Sequence, residues 1–293
     1  MKIDNILDII PPTTFPVGLI GCHAEQANFD CCVYDIVIFD EQNKLDSVIN
    51  NNDNLVKIHH GSLSENRVEK LIQLEKMQIL SDEKWELQMF LARIKEKKEK
   101  IFKTYNKNCI IESQFCLIKA NNGLENADPF VASWIKSAAY FLADAIILLN
   151  NNRPSPSHML NVLRNLKSSQ TNKTLSAVLN SIGLERSTSS LLSRMSKSTI
   201  GLSDLIEKNN NSMIIKQKTN CLIEKSLLSD CYFYIGYLNR NIFYSLKDSV
   251  NNYPELIHLL KTGFDLENDN ITLKSHIESL TNVAKTLLNL NEN

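Results

Sequence analysis

Two places in this sequence bring together residue types that could do chemistry. In the first, Gly21-Cys22 is followed, after twelve intervening residues, by Asp35-Ile36-Val37. A glycine closing a hydrophobic strand lets the backbone approach a phosphate, and a carboxylate on the next strand can hold a divalent cation. Strand alternation puts Asp35, Val37 and Phe39 on one face and Ile36, Ile38 and Asp40 on the other, so Asp40 points away from Asp35. In the second place, Arg153 stands five residues before His158. Such a pair can cleave a phosphodiester without metal: the histidine moves a proton at a ribose hydroxyl while the arginine neutralises the pentavalent phosphate. Six softer ligands, Cys22, His23, Cys31, Cys32, His59 and His60, crowd the same early stretch, but without the Cys-x-x-Cys knuckle of a structural zinc site.

These residues need elements to hold them. Short β-rich runs occur at Val17-Gly18-Leu19-Ile20, Tyr34 to Phe39, Leu55 to His60 and Met77 to Leu80, with a helical stretch from Glu65 to Lys76 between the last two. From Ser81 onward the pattern is helical. Ser81 or Asp82 is suited to cap a helix whose apolar stripe includes Trp85, Leu87, Leu91 and Ile94. Cys109 and Cys116, seven apart, share a helical face as small core hydrophobes. The strongest helix opens at Asp128-Pro129 and runs to Asn150, with Trp134 and Phe141 on a broad apolar face. Ser155-Pro156 then suits the start of another helix, and further helices are expected around Leu175 to Ile182, Thr188 to Met195, Leu222 to Leu246, Pro254 to Leu260 and Leu273 to Leu290. The expectation is an α+β protein: a small α/β domain over residues 1–80, then an all-helical bundle over 81–293.

Composition narrows the function classes. With 293 residues, 43% hydrophobic and 22% charged, the chain is an ordinary globular protein of about two domains. Lys+Arg 32 against Asp+Glu 33 gives a net charge of -1, so no global field draws it to nucleic acid or an anionic membrane. The longest apolar run, Ala139 to Leu149, is interrupted by Asp144, which speaks against a membrane span. The acidic start, MKIDNILDII, is the reverse of a leader peptide, and seven cysteines, two of them adjacent, are no disulfide framework. A cytoplasmic protein with reduced thiols is expected.

The Gly21-Cys22 turn, the gap, Asp35 in the strand YDIVIFDE and the third strand at Leu55 to His60 together resemble the polymerase β-type nucleotidyltransferase superfamily, particularly its minimal members. That family uses Gly-Ser, a gap of similar length and Asp-hydrophobic-Asp. The resemblance implies a nucleoside triphosphate held through two Mg²⁺ ions on the strand carboxylates, with Gly21 and Cys22 against the phosphates and Asp35 as metal ligand and catalytic carboxylate. Here Val37 stands where the second carboxylate belongs and Cys22 where the serine belongs. On the third strand the inward residues are Lys57 and His59 or, one register over, Ile58 and His60. An incomplete metal site therefore implies nucleotide binding or regulation rather than efficient transfer, and Val37→Asp is expected to improve Mg²⁺-dependent binding. The stretch ADAIILLNNNRPSPSHMLNVLRNL, within residues 128–170, resembles the helical HEPN domains that accompany minimal nucleotidyltransferases. In nuclease members Arg and His act across a dimer interface; here Leu160 replaces the tyrosine of the toxin form and Pro154 follows Arg153. Two further readings stand beside the first: a helical binding or regulatory protein without nucleotide, recruiting a partner protein or a second copy, and a metal-independent ribonuclease using Arg153 and His158.

Overall fold

The computed structural model describes every residue except 1–6, 8, 26–28, 43, 52–53, 168, 170–171, 208–210, 267–268 and 293. Most of the acidic N-terminal start thus lies outside the described residues. The fold is α+β, a five-stranded sheet followed by a mostly helical chain. Two compact units result: Met1–Phe102 with Glu207–Lys218, and Lys103–Ile206 with Thr219–Asn293. The expected division after residue 80 falls just inside the last strand, and the helix that follows groups with the sheet.

The sheet unit runs β1 (Val17–Ile20), α1 (Gly21–Ala24), β2 (Tyr34–Ile38), β3 (Ser47–Asn51), β4 (Asn54–His60), α2 (Val68–Leu74), β5 (Gln78–Ser81) and α3 (Glu86–Glu96). Strand order is β3-β4-β2-β1-β5, with β2 and β4 parallel and the other neighbours antiparallel. One face is closed by a core of Val17, Leu19, Tyr34, Ile36, Ile38, Val56 and Ile58, joined by Ile10 and Ala24. That burial fixes the register, because a one-residue slip of any strand would send its whole apolar set to the other face. Ile36 pairs with Ile58 on the core side, so Asp35 pairs with Lys57 and Val37 with His59 on the other.

The edge strand β3 was not expected from the sequence, and α2 is shorter than the Glu65 to Lys76 stretch that suggested it. The helix expected from Ser81 or Asp82 begins instead at Glu86. Trp85 is its N-cap, in the left-handed region at φ 62° and 63% exposed, so the core role expected of Trp85 does not hold.

In the helical unit, α4 (Lys98–Glu125, whose first residues belong to the sheet unit) precedes α5 (Val131–Leu149). Then come α6 (Met159–Arg164), α7 (Leu175–Ile182), α8 (Ser189–Ile206), α9 (Asn211–Glu224), α10 (Leu228–Ser245), α11 (Leu256–Gly263) and α12 (Asn270–Glu292). Helix α5 is the central element: residues 131–148 are all buried, and it packs on α7, α10 and α12. It is long and apolar enough to cross a membrane by composition, and its burial as a bundle core accounts for that character. Trp134 and Phe141 are buried as expected, as are Cys109 and Cys116. Two helix starts differ from expectation. α6 begins at Met159, not near Pro156, and the expected Leu222 to Leu246 helix is two, broken by Ser226 at φ 58°.

Candidate functional site

The face of the sheet opposite the core carries a chain of four polar side chains. β2 supplies Asp35, the parallel neighbour β4 supplies Lys57 and His59, and Asp46 stands just before β3. His59 Nε2 lies 3.1 Å from Asp35 Oδ1, and His59 Nδ1 lies 2.9 Å from Asp46 Oδ2. Lys57 Nζ closes on the same Asp46 oxygen at 3.2 Å. All four are partly shielded, at 18 to 32% side-chain exposure.

With a carboxylate at each ring nitrogen, His59 satisfies both only by carrying both protons. Burial alone would pull its pKa down, but the bonds to Asp35 and Asp46 outweigh it and raise the value above 6.5. Asp46 responds in the opposite sense: burial pushes it up, yet the His59 bond and charge, with Lys57, hold it at about 2. The geometry and the upward shift both favour an imidazolium between the two carboxylates, with the Lys57 ammonium flanking Asp46.

Gly21 positions the start of this chain. Its φ of +77° is available to glycine without strain, and a Cβ there would stand 2.8 Å from Asp35 Oδ2. α1 is held behind the turn by Gln78 Nε2, which donates to Ala24 O at 2.8 Å, and by the Lys76 to Glu25 ion pair at 2.9 Å. The structure therefore brings Gly21 and Asp35 together. Cys22, the next residue, is half-buried and bonds to Cys32.

A cleft of about 450 Å³ opens on the same face. Ile20, Val37 and Phe39 give it an apolar wall, His59 lies on it, and Arg67 and Lys70 contribute from the α2 side. Those two cations already share Glu65, at 3.0 and 3.5 Å. The Arg67 bond, working against some desolvation, holds Glu65 at about 2. Asp40, expected to face away from Asp35, pairs with His60 Nδ1 at 2.8 Å, while Asp35 engages His59.

The donor set does not fit a pair of Mg²⁺ ions. Val37 is an alkyl group, Cys22 offers soft sulfur where a hard oxygen is needed, and the nitrogen of His59 sits directly against Asp35 Oδ1. Asp35 is the carboxylate that β2 presents here, and its register partner on β4 is the cation Lys57.

Sequence reasoning named Asp35 and Gly21 and left the inward pair open between Lys57 with His59 and Ile58 with His60; it missed Asp46, Glu65, Arg67 and Lys70. The run Asp46-Ser47-Val48-Ile49 was the signal available, a carboxylate at the mouth of a β-branched pair. In the helical unit, Arg153 lies on the irregular chain between α5 and α6. His158 is the N-cap of α6, its carbonyl accepting from Val162 N–H at 3.1 Å.

No protein-family model matches this chain, and no curated protein matches it. Among solved structures it is similar to a nucleotidyltransferase-like protein from Exiguobacterium sibiricum, at 11% identity and a TM-score of 0.36, over 88% of this chain and 91% of that one.

Proposed function

We propose that the sheet unit is a nucleotide-binding, regulatory module of nucleotidyltransferase-like design, in which an internal imidazolium has taken the place of the metal centre. What carries this reading is His59. Its two nitrogens engage Asp35 and Asp46, so the carboxylate that would recruit Mg²⁺ is already neutralised from within. The cleft beside it supports a ligand with an apolar and an anionic end. A base can lie on Ile20, Val37 and Phe39, while phosphates exchange with Glu65 for Arg67 and Lys70, whose side chains are more than half exposed. Because that exchange breaks existing ion pairs, affinity is modest, and binding does not require a divalent cation. The chain works in the cytoplasm on this reading, answering nucleotide level and passing the state to a partner protein or a second copy through its helices.

A thermal-shift panel of nucleoside mono-, di- and triphosphates, each with Mg²⁺ and with EDTA, tests it. A ligand at about 100 times its Kd stabilises the native state by roughly 2.7 kcal/mol, well within reach of the method. The expected result is a rise in melting temperature that is the same with and without Mg²⁺, and that is lost in Arg67→Ala/Lys70→Ala. His59→Asp should convert the response to a Mg²⁺-dependent one, since register places that carboxylate opposite Val37 and beside Asp35. No shift with any nucleotide would favour the helical binding protein without nucleotide instead, and transfer of a labelled nucleotide by the unmodified chain would refute the loss of the metal centre.

A further inference from the structure

Beside the Gly21 turn lies a second cluster that the nucleotide reading does not use. Lys218, on the part of α9 that belongs to the sheet unit, is 3% exposed, and its Nζ lies 3.0 Å from Cys32 Sγ. The backbone N–H of Phe29 donates to the same sulfur at 3.2 Å, and the Phe29 ring lies 6.0 Å from the ammonium. A buried ammonium costs several kcal/mol unless a charge answers it. A thiolate at Cys32, accepting one backbone and one charged hydrogen bond, supplies that charge where a neutral thiol would not. Cys22 Sγ lies within 4.8 Å of Cys32 Sγ, and linking the two requires them to close to the ~2.05 Å of a disulfide. Its own thiol, hydrogen-bonded to Cys32 and shielded by burial, is pushed up and stays protonated.

We propose that Cys32 and Cys22 form a peroxide-sensitive dithiol in which Lys218 holds Cys32 as the attacking thiolate and Cys22 resolves the product. The Cys32 sulfur attacks one oxygen of hydrogen peroxide, the O–O bond breaks and hydroxide leaves, giving a sulfenic acid. The Cys22 sulfur then attacks Cys32, the S–O bond breaks, and the hydroxyl departs with the Cys22 proton as water. Two thiols are oxidised to a disulfide and one peroxide is reduced. Because Cys32 is only 4% exposed, the oxidant the proposal assigns to it is a small peroxide and not a bulky disulfide such as oxidised glutathione. Cys22 directly follows Gly21, so the new bond pulls on the turn that abuts Asp35.

The test treats the full chain with hydrogen peroxide near neutral pH, counts remaining thiols over time and maps linked peptides by mass spectrometry. The first event should be the loss of two of the seven thiols through a Cys22–Cys32 link that dithiothreitol reverses and that Cys31→Ser leaves in place. Cys22→Ser should stop at a sulfenic acid on Cys32 that dimedone traps. Lys218→Gln should slow the first step roughly tenfold or more, the gap between a thiolate and an ordinary thiol near neutral pH. If Lys218→Gln fails to fold by circular dichroism, the dimedone trap in Cys22→Ser decides alone. A first link at Cys31, no trapped Cys32, or an unchanged rate in a folded Lys218→Gln would overturn the proposal, whatever the nucleotide panel shows.

Discussion

Replacing His59 by Phe keeps the ring and removes both N–H donors, leaving Asp35 and Asp46 facing an apolar edge with Lys57 alone on Asp46. Two hydrogen bonds to charged groups are worth about 1.5–3 kcal/mol each when shielded. Discounting for a side chain that is still a quarter exposed, the loss should be about 2–3 kcal/mol below pH 6.5. The pH dependence is the sharper test. The folded pKa of His59 is raised above its unfolded value, so its contribution is complete below about 6.5 and is lost as pH rises through the folded pKa. Asp46 does not confuse the comparison: its contribution, with a pKa near 2, is present above about 4 and is lost only as pH falls through 2. Urea titrations of both proteins at pH 6 and pH 9 should therefore show a stability gap that shrinks to about 1 kcal/mol at the higher pH. An NMR titration of the imidazole protons should place the His59 midpoint above 6.5. A gap that stays constant or widens with pH, or a midpoint below 6.5, would refute the bridging imidazolium.

Gly21→Ala should cost about 1–3 kcal/mol, because its Cβ at φ +77° would strike Asp35 Oδ2, and calorimetry should find the nucleotide response gone. Phe141→Ala should cost about 3–5 kcal/mol by denaturant titration, since the ring is buried against Tyr244 at 4.9 Å and the Arg240 guanidinium at 4.4 Å; a loss below about 1 kcal/mol would mark that face as a surface. Asp144→Leu alone should cost about 3–5 kcal/mol by stranding buried Arg240, whose NH2 donates to Asp144 at 2.9 Å, whereas Asp144→Leu with Arg240→Met should recover most of it. Val37→Asp alone should stay Mg²⁺-independent, because the new carboxylate faces the His59 imidazolium in register, against the gain its sequence position suggested. Single-stranded RNA should survive incubation in EDTA; cleavage abolished by both Arg153→Ala and His158→Ala would restore the ribonuclease reading.

The fold was legible where burial writes a strong period. The broad apolar face of α5 and the β-branched runs of β1, β2 and β4 each have one dominant demand, to hide hydrocarbon, and the chain obeys it. Legibility failed where a local backbone choice decided the outcome. β3 reads Ser-Val-Ile-Asn-Asn, an edge strand only half hidden, and its Asn residues look like loop until β4 supplies a partner. Trp85 fits the helix period, but the chain takes a left-handed turn there and turns the ring outward. At Ser226 the same kind of residue splits a periodic stretch into α9 and α10, and no hydrophobic count can see a single φ angle.

For the site the sequence supplied a face but not its partners. Alternation alone separated Asp35 from Asp40, and it left two registers open for the third strand. The choice between them is made by Val56 and Ile58, which join Ile36 in the core and so turn Lys57 and His59 toward Asp35. Asp46 enters only because β3 folds back on β4, a long-range pairing with no local signature. Once there, it makes His59 more than a spacer. An imidazole beside Asp35 alone could give up its proton and yield the carboxylate to a metal, but an imidazole held at both nitrogens must break two charged contacts to do so. On the proposed reading, Asp46 therefore acts through His59 to keep Asp35 from a metal, the reverse of what a second carboxylate on β2 would do.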